Sequence, residues 1–414
     1  MSLSTRLDVD MRRVLGIPDY VGESFAVFPS YTNDGPDTPR YLVTIDKGIG
    51  DAVAIGLSAV EQIIENDAGA YGAIDILCNA LQTDIFRYDP RINRIIQTPL
   101  TFYPSPQPVS WLKLFRLEVK AAALTRYLRG RRYEAIFPGI VAPALFYRLG
   151  ARIIYPNILA LAYDLFIAGA RIDKPLRVLV RAMVNRYFGR ATPETLLPDD
   201  VTLYLDHKHL LRASRTLYTL QENSAYTGCK VLVVAPDSAS PATRPPTALL
   251  ACALAELLRP GLFVCILPSY SDETASSRLF QALAARDPQR VCCLPAQPRM
   301  TLLETAALLD QTDLFVTGDT GVMHLAAAKK KIAQEVPCAA SLRNNLRIVA
   351  LFGATNPGFY GYRAHSTILG RGRKEQRTFR PGFAKEGYNP KGLDLFDHVP
   401  PQELSETIAQ LLGD

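Results

Sequence analysis

No stretch of this chain stays apolar for the ~18 residues that a membrane-spanning helix needs. The longest apolar zone, Ile136 to Ala170, is interrupted by Pro143, Arg148, Arg152, Pro156 and Asp164. The opening residues, MSLSTRLDVDMRRVLGIPDY, lack the apolar core of a signal peptide. A soluble or membrane-peripheral protein is therefore expected. The seven cysteines (Cys78, Cys229, Cys252, Cys265, Cys292, Cys293 and Cys338) form no CxxC pair and lie in apolar segments. That excludes a legible zinc site or disulfide framework and reads as buried, reduced thiols in a cytosolic protein. Charge excess is small as well. A net charge of +6 and a pI near 8.9 suit anionic substrates or a membrane surface, but are too weak to indicate nucleic acid.

What is present is ample core. With 414 residues, 48% hydrophobic and 21% charged, the chain should fold as two domains rather than one. Residues 1–39 carry few periodic signals and read as an N-terminal extension. A domain over 40–222, a second over 223–398 and a terminal helix over 399–414 complete the expected plan. Each domain opens on a β-rich run followed by a glycine or hydroxyl loop and an Ala/Leu-rich helix: YLVTID then KGIGD at Tyr41 to Asp51, and KVLVVAP then a Ser/Pro/Thr loop at Lys230 to Pro245. Such repeats define doubly wound α/β domains.

The richest stretch is LFVTGDTGVMHLAAAKKK, Leu314 to Lys331, which reads as strand, tight loop and helix start. Free N–H groups of a first helical turn and the positive end of the helix dipole suit a phosphate at such a junction. Thr320 is placed to cap the helix, and Gly321 would let a ligand approach the backbone. Asp319 and His324 could reach the same crevice; equally, Asp319 could only cap the helix and His324 could be a satisfied structural residue. In the first domain Gly48 and Gly50 suggest a dinucleotide fingerprint, but Val53 stands at its third glycine position, which weakens a dehydrogenase reading. Two basic helices, Trp111 to Arg132 and Leu176 to Arg190, present either solvated charged faces or a cradle for an anionic acceptor or membrane surface.

The pairing of DTGVMHLAAA with LFGATNPG at Leu351 to Gly358 resembles the donor-site signature of glycosyltransferase family 9, the bacterial heptosyltransferase-like enzymes. The resemblance covers most of residues 40 to 412. It implies the GT-B fold, two Rossmann-like domains facing a central cleft, with an acceptor on the first domain and a nucleotide-diphosphate sugar on the second. It implies an inverting transfer to a hydroxyl of a glycan, lipid-linked or protein acceptor, with Asp51 of the loop after the first strand as general base; Gly48 and Gly50 of that loop are acceptor-side candidates, as is Lys47, which could bind an acceptor or phosphate or be solvated. Without that family, Asp51 reads as a helix cap. For the donor it implies Ser238, Ser240, Thr243, Arg244, Glu273 or Asp272, Met300, Asp319, Thr320, Gly321, His324 and Thr355, although Ser238 and Ser240 could equally serve only as loop caps. Met300 would stack on the base, although core packing would look the same in sequence. No Asp-x-Asp triad follows any predicted strand, so a divalent metal has no evident ligands and no cofactor is expected beyond the nucleotide sugar, with an ADP-sugar favoured. Cytoplasmic placement, with room for peripheral contact at the inner face of the cell membrane, goes with this.

Three features depart from the family pattern. The lysine that usually follows the first loop of the second domain is absent, leaving Arg244 to supply positive charge. Residues 329–347 insert extra chain after the Ala-rich helix, and residues 370–392 form a basic, glycine-rich loop. A binding protein that has lost its chemistry, or a nucleotide-sugar epimerase or hydrolase, are the alternatives these departures keep open.

Overall fold

The structure, a computed structural model, describes residues 26–29, 40–45, 48–98, 122–138, 152–153, 175–191, 200–222, 228–239, 243–269, 273–295, 300–334, 342–353, 355–362, 366–370 and 395–413. Its chain divides into two compact units, Met1–Ala160 with Val180–Thr192, and Leu161–Leu179 with Pro193–Asp414.

The first unit is built on strands β1 (Ala26–Pro29), β2 (Tyr41–Thr44), β3 (Ile74–Cys78), β4 (Ile92–Gln97), β5 (Ala135–Pro138) and β6 (Arg152–Ile153) in the order β1-β4-β3-β2-β5-β6. All pairs are parallel except β1 with β4. All of β2 and β3 is buried, as expected of strands covered on both faces. The order reverses at β2, so the topological switch point lies between β2 and β5. β1 falls inside the expected N-terminal extension and corrects it: Ala26 to Pro29 are an antiparallel edge of this sheet. Four residues are too few to show a period, and Pro29 is tolerated because edge strands need no full ladder.

After β2 the chain turns through Gly48 into a helical turn, Ile49–Asp51, a π-helical segment, Ala52–Leu57, and helix α1 (Ser58–Asn66). The widened turn seats Gly56 where a Cβ would lie 2.8 Å from both Ile45 and Phe86, the latter at the end of helix α2 (Thr83–Phe86). Helix α3 (Leu176–Tyr187) belongs to both units. In the first, its Arg181 is buried and pairs with Glu61, which also meets Arg91 at 3.4 Å; Arg91 in turn holds Asp89 at 2.5 Å. On the expected basic helix, Arg131 is likewise buried, 3.2 Å from Asp75. These arginines are neither solvated nor open to an acceptor. Asp75 also receives Tyr133 Oη at 2.8 Å and Asn93 Nδ2 at 3.0 Å, yet burial raises its carboxyl above the usual range despite Arg131. The amphipathic pattern placed positive charge on a helix without showing which cations have carboxylates waiting beneath them.

In the second unit, β8 (Lys230–Ala235), β9 (Leu262–Ile266), β10 (Val291–Cys293), β11 (Leu314–Gly318), β13 (Arg347–Phe352) and β14 (Ser366–Gly370) form a parallel sheet ordered β10-β9-β8-β11-β13-β14. Its switch point lies between β8 and β11. A second small sheet pairs β7 (Thr202–Leu205) with β12 (Lys329–Ile332) in parallel. Helix α4 (His207–Glu222) follows β7, and its Ser214 hydroxyl meets Gln311 at 2.9 Å. A boundary at 222/223 would leave β7 and α4 in the first unit; the pairing with β12 and the packing on Gln311 put them in the second. Helices α5 (Thr247–Ala255), α6 (Glu273–Ala284), α7 (Leu302–Asp310), α8 (Gly321–Ala327), α9 (Pro357–Tyr360) and α10 (Pro401–Leu412) complete it.

The core of this unit joins Leu232 and Val234 of β8 to Leu250 and Leu254, to Leu314 and Val316, and to Leu404, Ile408 and Leu412. The terminal helix is thus part of the second unit's core. Its C-terminus is closed by Gly413 at φ +77°, a left-handed position that suits glycine, and by Lys230 and Arg347, which donate to the carbonyls of Leu412 and Leu411. The expected insertion holds β12. There Asn344 acts as a substitute strand, accepting from Lys330 N at 2.7 Å and donating to Lys330 O at 3.0 Å. The six described cysteines are free thiols, and no described helix is long and apolar enough to cross a membrane.

Candidate active site

Both switch points carry expected site residues, because loops leaving the carboxyl ends of strands flanking a reversal have no crossover helix above them. In the second unit the β11–α8 junction is built by hydroxyl chemistry. Thr320 is the N-cap of α8 in extended conformation, and its Oγ1 accepts from Met323 N at 3.3 Å. Thr317 Oγ1 lies 3.2 Å from Thr320 Oγ1 and steadies it from the strand. Asp319 and His324 come together: Nε2 is 3.7 Å from Asp319 Oδ1, and His324 is 5% exposed. The two side chains expected to share a crevice are neighbours.

The β8 loop behaves differently from the expectation that it offers free groups to a diphosphate. Ser238 Oγ and Thr243 Oγ1 are buried and 2.6 Å apart, each occupying the other. Arg244 Nε stands 2.9 Å from Asp237 Oδ1, and its Nη2 donates to Ser238 O at 3.0 Å. Asp237 also accepts from Ser238 N at 2.8 Å. Arg244 is therefore an internal strut whose charge is partly offset by Asp237, a residue overlooked because it sits at the strand end rather than in the hydroxyl run. Gly318 is the glycine that close approach requires here. A Cβ on it would overlap Thr243 O and lie 2.8 Å from Pro245 Cδ, so β11 and the β8 loop touch only because the side chain is absent.

Thr301 caps α7 as expected: its hydroxyl accepts from Glu304 N at 3.2 Å, while Glu304 accepts from Thr301 N at 2.7 Å. Met300, just before it, is half-buried. In the β13–α9 loop Asn356 accepts from Gly358 N at 2.8 Å, and Pro357 begins the helix. Thr355 Oγ1 is buried with no hydrogen-bond partner among the described residues. Ser240, Lys47, Asp272 and most of 370–392 lie outside the described residues, as does the side chain of Glu273.

In the first unit Gly48 is extended and its N–H donates to Asp51 Oδ2 at 3.1 Å. The capping role is realised, and one carboxylate oxygen is committed to it. Gln82 braces the same loop: it is buried, and its Nε2 donates to Gly48 O at 2.9 Å while its Oε1 accepts from Asn79 N at 3.1 Å. Nothing in the residue pattern singled out Gln82, since it lies in the turn after β3. Gly50 occupies the first helical turn beside Asp51.

A strand, an acid-capped turn and a helix at one switch point, with a Thr-capped helix beside an Asp–His pair at the other, define two doubly wound α/β units that each carry candidate site residues at the carboxyl ends of their strands. Residues 121–388 match the family model for glycosyltransferase family 9 (heptosyltransferase), and the chain belongs to that family. It is 26% identical over 236 residues to lipooligosaccharide heptosyltransferase 2 of Haemophilus influenzae, covering 55% of this chain and 63% of that protein. Against lipopolysaccharide heptosyltransferase 2 of Escherichia coli K12 the identity is 27% over 159 residues, 38% of this chain and 40% of that one. The chain thus aligns with less than two thirds of these relatives' length. Among solved structures, E. coli ADP-heptose lps heptosyltransferase II superposes with a TM-score of 0.59 at 18% identity, covering 90% of this chain and 98% of that one. E. coli heptosyltransferase WaaC with ADP-2-deoxy-2-fluoro heptose gives 0.57 at 15%, covering 90% and 99%. At such identities the likeness establishes the fold, which is GT-B.

Proposed function

We propose that this protein is an inverting, metal-independent glycosyltransferase that moves a heptose or related sugar from a nucleotide-diphosphate donor, ADP-linked by preference, to a hydroxyl of an anionic glycan, lipid-linked or protein acceptor. The observation that carries this is the Asp319–His324 pair beside the Thr320 cap at the second unit's switch point, inside the segment that matches the family. Relatives named as heptosyltransferases and a neighbour holding an ADP-heptose analogue support the choice of donor.

In this reading the acceptor oxygen attacks the anomeric carbon as the bond to the diphosphate breaks. Asp51 takes the hydroxyl proton through the oxygen not held by Gly48. Charge growing on the leaving diphosphate is met by the backbone N–H groups of Gly321 and Val322, ahead of the Met323 N–H that Thr320 holds, and by His324. Thr355 is available to a donor oxygen. Arg244 supports the loop and adds positive potential discounted by Asp237. That discount favours a second reading, a GT-B-fold protein that binds nucleotide without transferring sugar.

Thermal denaturation with ADP-, GDP- and UDP-sugars tests the donor. A ligand at about 100 times its dissociation constant adds roughly 2.7 kcal/mol, and the ADP compounds should give the largest shift. No shift with any nucleotide sinks the proposal. Transfer that persists in chelator supports metal independence, and binding without transfer selects the second reading.

A further inference from the structure

We propose that Tyr362, held in place by Arg177, is a positioning residue that sets the tautomer and ring orientation of His324; the inference rests on the donor-site reading above. His324 is buried, and its two nitrogens see different partners. Nδ1 is 2.8 Å from Tyr362 Oη, with the two rings edge-on at 5.5 Å and 68°. Nε2 faces the Asp319 carboxylate at 3.7 Å. At 3.7 Å the carboxylate lies beyond hydrogen-bond distance and only biases the ring toward carrying its hydrogen on Nε2, so the direct 2.8 Å bond between the Tyr362 hydroxyl and Nδ1 is what fixes the tautomer. Nδ1 is then the acceptor, and the Tyr362 hydroxyl donates to it.

Tyr362 is itself fully buried, and Arg177 clamps it from the start of α3. The guanidinium carbon sits 3.6 Å from the Tyr362 ring centroid, Nη2 donates to Gly361 O at 2.7 Å, and Nη1 donates to Tyr360 O at 3.4 Å. A cation on the ring face draws density from the phenol and makes its O–H a better donor. The guanidinium's planar fork performs both tasks, bonding two successive carbonyls while stacking, which an ammonium group cannot do. The consequence is that His324 presents an N–H, not a lone pair, toward Asp319. An N–H is what a diphosphate oxygen requires of a neutral imidazole. The basic pattern of α3, read from sequence as a charged face, contributes at this position a buried support for the donor site.

Long-range proton–nitrogen NMR of the full-length protein with 15N-labelled histidine tests this, comparing wild type with Tyr362→Phe. That variant keeps the ring and its contact with Arg177 and deletes only the hydroxyl. Wild-type His324 should show the Nε2–H tautomer and Tyr362→Phe a mixture. The variant's kcat should fall roughly tenfold, the lower end of what metal-bound histidines lose when their outer hydrogen-bond partner is removed, with acceptor KM unchanged and the pH–rate profile displaced. Arg177→Lys should move the same readouts in the same direction. An Nδ1–H tautomer in the wild type, or a spectrum that Tyr362→Phe leaves unmoved, overturns the proposal. Titration with ADP separates the two readings. The expected tautomer without ADP binding sinks the donor site alone, and ADP binding with the wrong tautomer sinks the positioning role alone.

Discussion

Gly318 ends β11 directly under the carbonyl of Thr243, and no side chain larger than hydrogen fits between them. Backbone, not a flexible side chain, is the obstacle, so Gly318→Ala cannot be absorbed by a rotamer change. The variant should lose roughly 1–3 kcal/mol of stability, the usual range for overpacking, and bind ADP more weakly because Thr243 and Arg244 shift with their loop. Denaturant unfolding together with calorimetric titration checks both; an unchanged midpoint contradicts the contact.

Asp51 has two roles that substitution can separate. Asp51→Asn keeps an oxygen to accept from Gly48 N–H and should unfold like the wild type, while transfer falls by about 10²–10⁴, the range for a lost general base. Asp51→Ala should lose activity to a similar extent and also about 1 kcal/mol of stability through the missing cap. If Asp51→Asn transfers sugar at the wild-type rate, the proton goes elsewhere.

Lys330 makes stability rise with pH, whereas a surface lysine whose pKa is unchanged by folding contributes no pH dependence. Burial pushes its ammonium down to about 8 despite Asp310. Between that value and the unfolded lysine near 10.4, the unfolded chain binds more protons, so stability rises with pH across this window and the full penalty is present below it. Relative to Lys330→Met, wild type should therefore gain stability between pH 8 and 10.5, by about 3 kcal/mol at most. Urea unfolding of both proteins at pH 7.5, 9 and 10 provides the check. A constant difference would mean that the amine is not desolvated.

Glu61 is shared by Arg91 and Arg181. Glu61→Gln leaves two buried cations with less compensation and should cost about 3 kcal/mol or more, as breaking a buried pair does. The melting temperature of the variant measures it, and a loss indistinguishable from zero would show that Asp89, paired with Arg91, and Glu65, whose Oε1 lies 3.6 Å from Arg181 Nη1, suffice.

How far the sequence reveals these features differs from residue to residue. The strand–loop–helix units at Tyr41, Lys230 and Leu314 are visible because each buries a repeating face, and the Thr301–Glu304 and Thr320 caps because capping is a contact within one turn. β1 was too short to show a period. Gln82 and Asp237 lie in turns where polar residues are ordinary, so their bonds to Gly48 and Arg244 left no mark on the pattern. Arg177, Arg181 and Arg131 matched a solvated basic face, which holds for the exposed Arg126, Arg129, Arg132 and Arg186 of the same stretches but failed at these three, because helical spacing tells which residues share a side and not what that side meets.

By itself, then, the order of residues determined two doubly wound α/β units, the Asp319–Thr320–His324 constellation and the glycosyltransferase family 9 signature, since all of these depend on neighbours within a few turns of chain. Only the tertiary structure decided that Arg244 is committed to Asp237, that Gly318 must lack a side chain, and that Arg177 steadies the segment bearing Tyr362, whose hydroxyl meets His324. Arg177 and Gly361 are 184 positions apart. Contacts at such separation are set by how sheets and helices pack, and a burial cost as large as that of an arginine can be met only by partners that packing brings to it.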